Sequence, residues 1–375
     1  MTRRERILAS ANRKQADKLP FFHWWRHMQT GWAERECRNR GMGIAWLRPP
    51  YVTKLHGVDV TEARAVVNGR AIVRRTYTTS VGTVFEDEFR EPGTGQWKTN
   101  RSWLSATPWL TTHLIKGPED YPAVKYIAEN TEYLPDYFPL EQATDWLGED
   151  GIMVDALPHS PLQMFLIYWV GSEGGSCFLH LADYPELVED LLKAVSKSRE
   201  PMYEIAAKSP APAAFCGDNI DGGLMGARLF EQYCMPEYEK QAAILHRHGK
   251  LMMVHMDGRL DNIKHLIPRT PVDIIEAFHP LPMGDLPLDE ARTLWKDKVI
   301  WMGFPASVFH MGPQATIEHM LSLLKEAVPG TQFAVEMSTE NQVSNENLCA
   351  LTSVLEKVEL PITIEAVERL AQEFR

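Results

Sequence analysis

The chain has 375 residues and a formal net charge of −11, which speaks against nucleic acid as the main partner, because phosphate binding needs a basic surface. Hydrophobic content of 44% and charged content of 24% fit a globular chain with one large core, and no apolar run reaches the length of a membrane span. Five cysteines without a CxxC pair, and an N-terminus that is charged throughout, fit a reduced cytoplasmic protein better than a secreted disulfide scaffold.

The first element is a short helix. Thr2 and Glu5 form a capping-box pattern, and Ile7, Leu8 and Ala11 give it one apolar face. PFFHWW from Pro20 reads as a buried strand, and GIAWLRPP as a second one stopped by Pro49 and Pro50. Residues 58–104 differ, because β-branched and aromatic alternation there is broken by Asn68-Gly69, Gly82 and Gly93-Thr94-Gly95. That is a hairpin signature, expected as an antiparallel excursion within a single domain spanning 1–375.

Beyond residue 117 strands and helices alternate. Pro118 and Glu119 open a helix, and Asp183 with Glu186 suggests a capping box for the helical run 183–208. A long helix follows over 228–249 with Pro236 inside it, then a helix near Leu260 to Ile267 and an amphipathic helix over 314–328. Eight strands are expected near 21–25, 43–47, 152–156, 213–217, 251–255, 273–277, 299–303 and 332–336. This is the pattern of an α/β (β/α)8 TIM barrel. A doubly wound sheet would want a glycine-rich turn after the first strand, and HWWRHM has none.

Barrel chemistry gathers at the C-terminal ends of strands. Those ends offer His23 and Arg26, Asp155 and His159, Asp218, Asn219 and Asp221, His255 and Asp257, Glu276 and His279, and Glu336 and Glu340. Glu276 and Glu336 each close an apolar run, where a carboxylate is costly to bury unless paired, protonated or bound to metal. His255, Glu276 and Glu336 together make a nitrogen-plus-carboxylate set suited to zinc. The same residues can equally be a hydrogen-bonded barrel histidine and two salt-bridged glutamates. Asp257 precedes Gly258 and fits either a ligand, an acid/base group or a turn residue. GDNIDGG can hold substrate through Asp218 and Asn219, or serve as a polar turn carrying a helix N-cap. The chain has eleven Trp. Trp24 and Trp25, flanked by His23 and Arg26, can wall a flat ligand beside a cation, or simply pack the barrel.

The chain resembles the uroporphyrinogen decarboxylase-like superfamily, which includes corrinoid (cobalamin)-dependent methyltransferases. The resemblance rests on TRRERILASANRKQADKLPFFHWW, GVDVTEARAV with SVGTVFED, GDNIDGGLMGARLFEQYCMPEYEKQ, HGKLMMVHMDGRL and the closing strand and helix. It implies a (β/α)8 barrel. The decarboxylases carry an arginine-rich start, and here only Arg26 remains, with Thr30 and Gly31 where a second arginine is expected. Many of the methyltransferases bind zinc through His-x-Cys and a later Cys. This chain has His255-Met256-Asp257 at the first place and Glu336 in the second region, with no Cys. An oxygen-rich site suits activation of an oxygen leaving group better than a thiol.

The resemblance therefore implies methyl transfer from an O-methyl donor, such as an aryl methyl ether, to the cobalt of a separate corrinoid protein. It casts His255, Glu276 and Glu336 as zinc ligands, Asp257 or Asp218 as proton donor, and the Trp pair as ring walls. Decarboxylation of a porphyrinogen-like acid, methyl transfer from a quaternary amine and a non-catalytic barrel are the other readings. A homodimer is compatible with the sequence.

Overall fold

The computed structural model describes residues 1–25, 30–67, 69–90, 109–337 and 343–374. Among these residues fourteen strands occur in chain order: β1 (Phe21–Trp24), β2 (Gly43–Arg48), β3 (Tyr51–Leu55), β4 (Val58–Val67), β5 (Arg70–Thr79), β6 (Gly82–Arg90) and β7 (Trp109–Thr112), followed by β8 (Thr131–Pro135), β9 (Gly151–Leu157), β10 (Ala213–Cys216), β11 (Leu251–His255), β12 (Ile274–Phe278), β13 (Val299–Gly303) and β14 (Phe333–Glu336). The chain divides into two compact units, one of residues 1–49, 137–157 and 209–375, the other of residues 50–136 and 158–208.

The first unit is the barrel. Eight parallel strands close in the order β1-β14-β13-β12-β11-β10-β9-β2, and each expected barrel strand is found at its expected place. Strand side chains alternate between the two faces. Phe22 and Trp24, Ile152 and Val154, Ala213 and Phe215, Val299 and Trp301 point into the barrel and form one buried cluster. The opening helix Arg3–Ala11 has the predicted capping box, with the Thr2 hydroxyl accepting from the Glu5 amide and the Glu5 carboxylate accepting from the Thr2 amide. It sends Ile7, Leu8 and Ala11 into the same cluster, so its apolar stripe is spent on the barrel interior.

Local deviations have physical causes. The run around Pro236 is a helix Gly222–Leu229, a π turn Phe230–Cys234 and a helix Met235–His246. A proline inside an α-helix lacks an N–H and clashes with the carbonyl one turn back, and the wide π turn places Pro236 in the first turn of a fresh helix instead. The helix expected near Leu260 to Ile267 is two 3-10 turns, Asp261–Ile263 and Ile267–Arg269.

The second unit contains a two-stranded sheet, β3-β8, and a four-stranded antiparallel sheet, β4-β5-β6-β7. The β4–β5 hairpin has a two-residue loop, with Val67 facing Arg70 and Gly69 at φ +75°. Gly93 and Gly95 lie outside the described residues. The run 183–208 splits into the helices Pro185–Ser198 and Glu200–Lys208. Tyr184, without a side-chain cap, stands at the N-cap, so the Asp183/Glu186 capping box does not form, and Pro185 starts the helix.

Candidate active site

The inward parity of the barrel strands continues upward to their C-terminal ends. Met253 is followed on the same face by His255, Ile274 by Glu276, and Ala334 by Glu336. Three of the sequence-derived candidates are thus delivered to one place. Beneath them lies an aromatic layer. Trp24 packs on Phe215 at 5.6 Å between ring centres, Phe22 on Trp301 at 4.8 Å, and Phe215 meets the His255 ring at 5.9 Å.

Glu276 is the hub. It is 1% exposed, accepts a hydrogen bond from the Trp24 indole at 2.7 Å, accepts another from His255 Nδ1, and is hydrogen-bonded to Glu336. Burial pushes the Glu276 carboxyl up, but the His255 charge and these donors outweigh it and hold the group below its ordinary value. His255 shows the mirror image. Burial alone favours neutral imidazole, and the carboxylates of Glu276 and Asp257, the latter 3.5 Å from Nε2, raise its pKa well above 6.5.

Glu336 completes the set. Burial, then the negative charge of Glu276, raise its carboxyl well above the usual range. Of the two adjacent carboxyls it is the one that holds a proton more readily, since neighbouring carboxylates in a buried site disfavour each other's charge. Its Oε2 is buried and has no hydrogen-bond partner among the described residues. A buried polar atom left without a partner is costly, so it marks a position open to a ligand group.

The backbone is shaped for this. Pairing of β12 with β13 slips between Glu276 and Phe278, and Ala277 sits at φ +54°. The bulge re-aims the strand end next to the hub, at a cost in backbone strain. His279 then folds back, donating from Nδ1 to the Gly303 carbonyl at 3.0 Å. A carbonyl only accepts, so Nδ1 carries the hydrogen and Nε2 its lone pair. Gly303 occupies the inward position above Trp301, and a Cβ there would stand 2.3 Å from the His279 ring.

The other candidates fall elsewhere. His23 and Trp25 have the outward parity of β1, contrary to their expected place in the site. His23 is fully buried, its Nδ1 bonded to the Trp24 carbonyl at 3.0 Å, and burial depresses its pKa to about 4. Trp25 stacks on Trp46 at 5.2 Å in a separate outer cluster. Asp218 is likewise buried on the outer side, where it accepts from the Tyr238 hydroxyl at 2.7 Å. Asn219 is exposed at φ +38°. Asp221, in the same loop, caps the helix Gly222–Leu229 and pairs with Arg259 at 3.2 Å, so the N-cap reading of this loop holds. Arg26 and Glu340 lie outside the described residues. Asp257 is partly exposed and faces His255, which holds its carboxyl below the ordinary value although burial pushes it up. Such a group accepts protons and does not supply them.

Two participants escaped the sequence reading. Trp24 was expected as a ring wall, and its decisive feature is the indole N–H on Glu276. His279 was noted at a strand end without a role.

No family model matches the chain, and no curated protein matches it. Among solved structures, a methyltransferase from Methanosarcina mazei is similar over 99% of both chains, with a TM-score of 0.54 at 13% identity. The barrel fold is shared. A catalytic module of a pneumococcal exo-β-D-N-acetylglucosaminidase aligns over 92% of this chain and 86% of that one, at 10% identity and a TM-score of 0.37; that level carries no argument.

The donor set of His255, Glu276 and Glu336 is chemically suited to zinc. As placed, however, the three side chains are bonded to one another and not directed at a common centre. Among the described residues no group of three or more His, Cys, Asp or Glu side chains is arranged to hold a metal ion. The arrangement fits the storage and transfer of a proton better than an ion cage. No helix among the described residues is long and apolar enough to cross a membrane.

Proposed function

We propose that this chain is a methyltransferase that takes a methyl group from an O-methyl donor, such as an aryl methyl ether, and passes it to a corrinoid protein. The observation that carries the reading is the buried, hydrogen-bonded carboxyl pair of Glu276 and Glu336, above an aromatic floor at the barrel's C-terminal end. A reduced corrinoid held by the partner protein supplies the nucleophile that accepts the methyl group. As the carbon–oxygen bond breaks, the departing oxygen takes both bonding electrons and needs a proton. Glu336 holds one with its second oxygen unpartnered. Glu276 keeps that proton in place until it is drawn away, and His255, which donates to Glu276, then passes its own proton to that carboxylate, so that only one carboxyl of the pair is left ionised. Trp24, buried in the barrel core, fixes Glu276 through its indole N–H. A general acid so placed contributes roughly 10²–10⁴-fold in rate.

Zinc at His255, Glu276 and Glu336 is the second proposal for the same donors, resting on their chemistry. Metal analysis of the purified protein separates the two: stoichiometric zinc, with activity lost on chelation, favours the metal. The experiment for the function is methyl transfer from aryl methyl ethers to a reduced corrinoid protein, with methylamines and porphyrinogen-type acids as competing substrates. Turnover of ethers alone supports the proposal, and decarboxylation or amine turnover without ether turnover overturns it.

A further inference from the structure

A cavity of about 370 Å³ lies wholly within the unit of residues 50–136 and 158–208. One wall is the four-stranded sheet. A sheet face covered by helices is ordinarily apolar, and the buried Val73 and Val84 obey that rule. On the same face, however, Arg75 and Glu86 stand opposite each other in register, with Tyr77 and Glu88 beside them lining the cavity. A polar patch on a helix-covered sheet is unfavourable for packing and useful for recognition.

The facing wall is apolar, made by Val124, Ile127 and Ala128 of the helix Tyr121–Glu129 and Val195 of the helix Pro185–Ser198. The third wall comes from the π turn Phe165–Trp169. In an α-helix positions i and i+5 diverge, whereas the wider π turn brings them into line. Met164 and Trp169 therefore stand together, and Tyr168 joins them on the cavity surface. The irregular helix and the polar sheet face are independent departures from ordinary packing, and both end at this cavity.

Part of its charge is matched internally. Arg75 pairs with Glu86 at 3.0 Å and with Glu62 at 3.6 Å, and the Tyr77 hydroxyl donates to Glu86 at 3.4 Å. Arg199, 6% exposed, donates to the His159 carbonyl at 2.5 Å. Among the described residues two cations and two carboxylates line the space, a balanced set that gives little to repay desolvation of an ionic ligand.

We propose that this cavity is a binding site for an uncharged, hydroxylated ring compound. The ring lies between Trp169 and the aliphatic wall, and its hydroxyl groups donate to the carboxylates of Glu86 and Glu88. The site is built without any residue of the barrel cluster, so it stands or falls apart from methyl transfer.

Equilibrium dialysis of the full chain against 4-hydroxybenzyl alcohol, 4-hydroxybenzoate and 4-hydroxybenzylamine tests it by binding and not by turnover. Saturable binding of the alcohol is expected, with the two charged analogues at least about tenfold weaker. Ala128→Phe, which fills the cavity, should abolish that binding while circular dichroism stays unchanged. Ser198→Phe fills the cavity from another side and takes its place if Ala128→Phe does not fold. Absence of saturable binding, equal or tighter binding of a charged analogue, or binding untouched by the filling substitution would overturn the proposal.

Discussion

At the scale of single residues, the cluster is a chain of unequal proton affinities. Three donors converge on Glu276 and hold its carboxyl down, whereas burial first, and then the charge of Glu276 beside it, push the Glu336 carboxyl up. Removing one donor should be felt directly. Trp24→Phe keeps the aromatic packing but withdraws the indole hydrogen bond from a buried carboxylate, and should cost about 1–3 kcal/mol in chemical denaturation. An unchanged midpoint would mean that the indole contact contributes nothing. The three central residues were legible in the sequence because a carboxylate or imidazole closing an apolar strand needs a reason to be there. The faces of His23, Trp25 and Asp218 were not. A strand buried on both sides is apolar throughout, so its inward parity leaves no trace in the residue pattern. Nor does a sequence reveal that a tryptophan's use is its N–H and not its ring.

At the scale of elements, strain and buried charge mark where the barrel departs from regularity. The bulge at Ala277 holds a residue with a Cβ in the left-handed region next to the hub. Ala277→Val, a β-branched side chain at φ +54°, should destabilise the fold by about 1–3 kcal/mol, whereas Ala277→Gly should not; equal midpoints for the two variants would contradict this.

A second site is the buried trio behind β9 and β11. Lys250 Nζ lies 2.6 Å from Asp155 Oδ2, and the Ser209 hydroxyl donates to the same oxygen at 2.5 Å. Lys250→Met leaves Asp155 uncompensated and should cost about 3–5 kcal/mol, with Lys250→Met/Asp155→Leu recovering much of it. No recovery in the double variant would count against pairing as the cause. Burial raises Asp155 from 3.8 to about 6 against the pull of Lys250. Between those values the folded chain keeps a proton that the unfolded chain has lost. The contribution of this group is therefore full below pH 3.8 and fades as pH rises through about 6. The unfolding free energy of the wild type relative to Asp155→Asn should fall across that window; a flat difference would refute the raised value. Asp155 was legible as a strand-end carboxylate, but not its partner. Lys250 precedes its strand, and only the parallel pairing of β9, β10 and β11 brings the two together.

At the scale of the molecule, the barrel was readable because regular alternation of strands and helices over more than 200 residues leaves few architectures available. All eight barrel strands lie where the periodicity puts them. The membership of residues 158–208 in a unit with the hairpins was not readable, since it depends on contacts between segments far apart in sequence. The hairpins themselves were announced by Asn68-Gly69 and Gly82. Shared architecture with a methyltransferase establishes the fold and leaves the chemistry to the site. There the buried pair of Glu276 and Glu336 is the feature that an ordinary barrel core does not need.

The most direct test is single-turnover methyl transfer from an aryl methyl ether to a reduced corrinoid protein, comparing the wild type with Glu336→Gln. Glutamine keeps the shape of the side chain and an N–H to donate to Glu276, but has no proton to give. The expected result is a rate lowered by roughly 10²–10⁴-fold with the denaturation midpoint preserved. Equal rates for the two proteins, or no transfer by the wild type from any ether, would contradict the assignment of Glu336 as the acid of a methyltransferase.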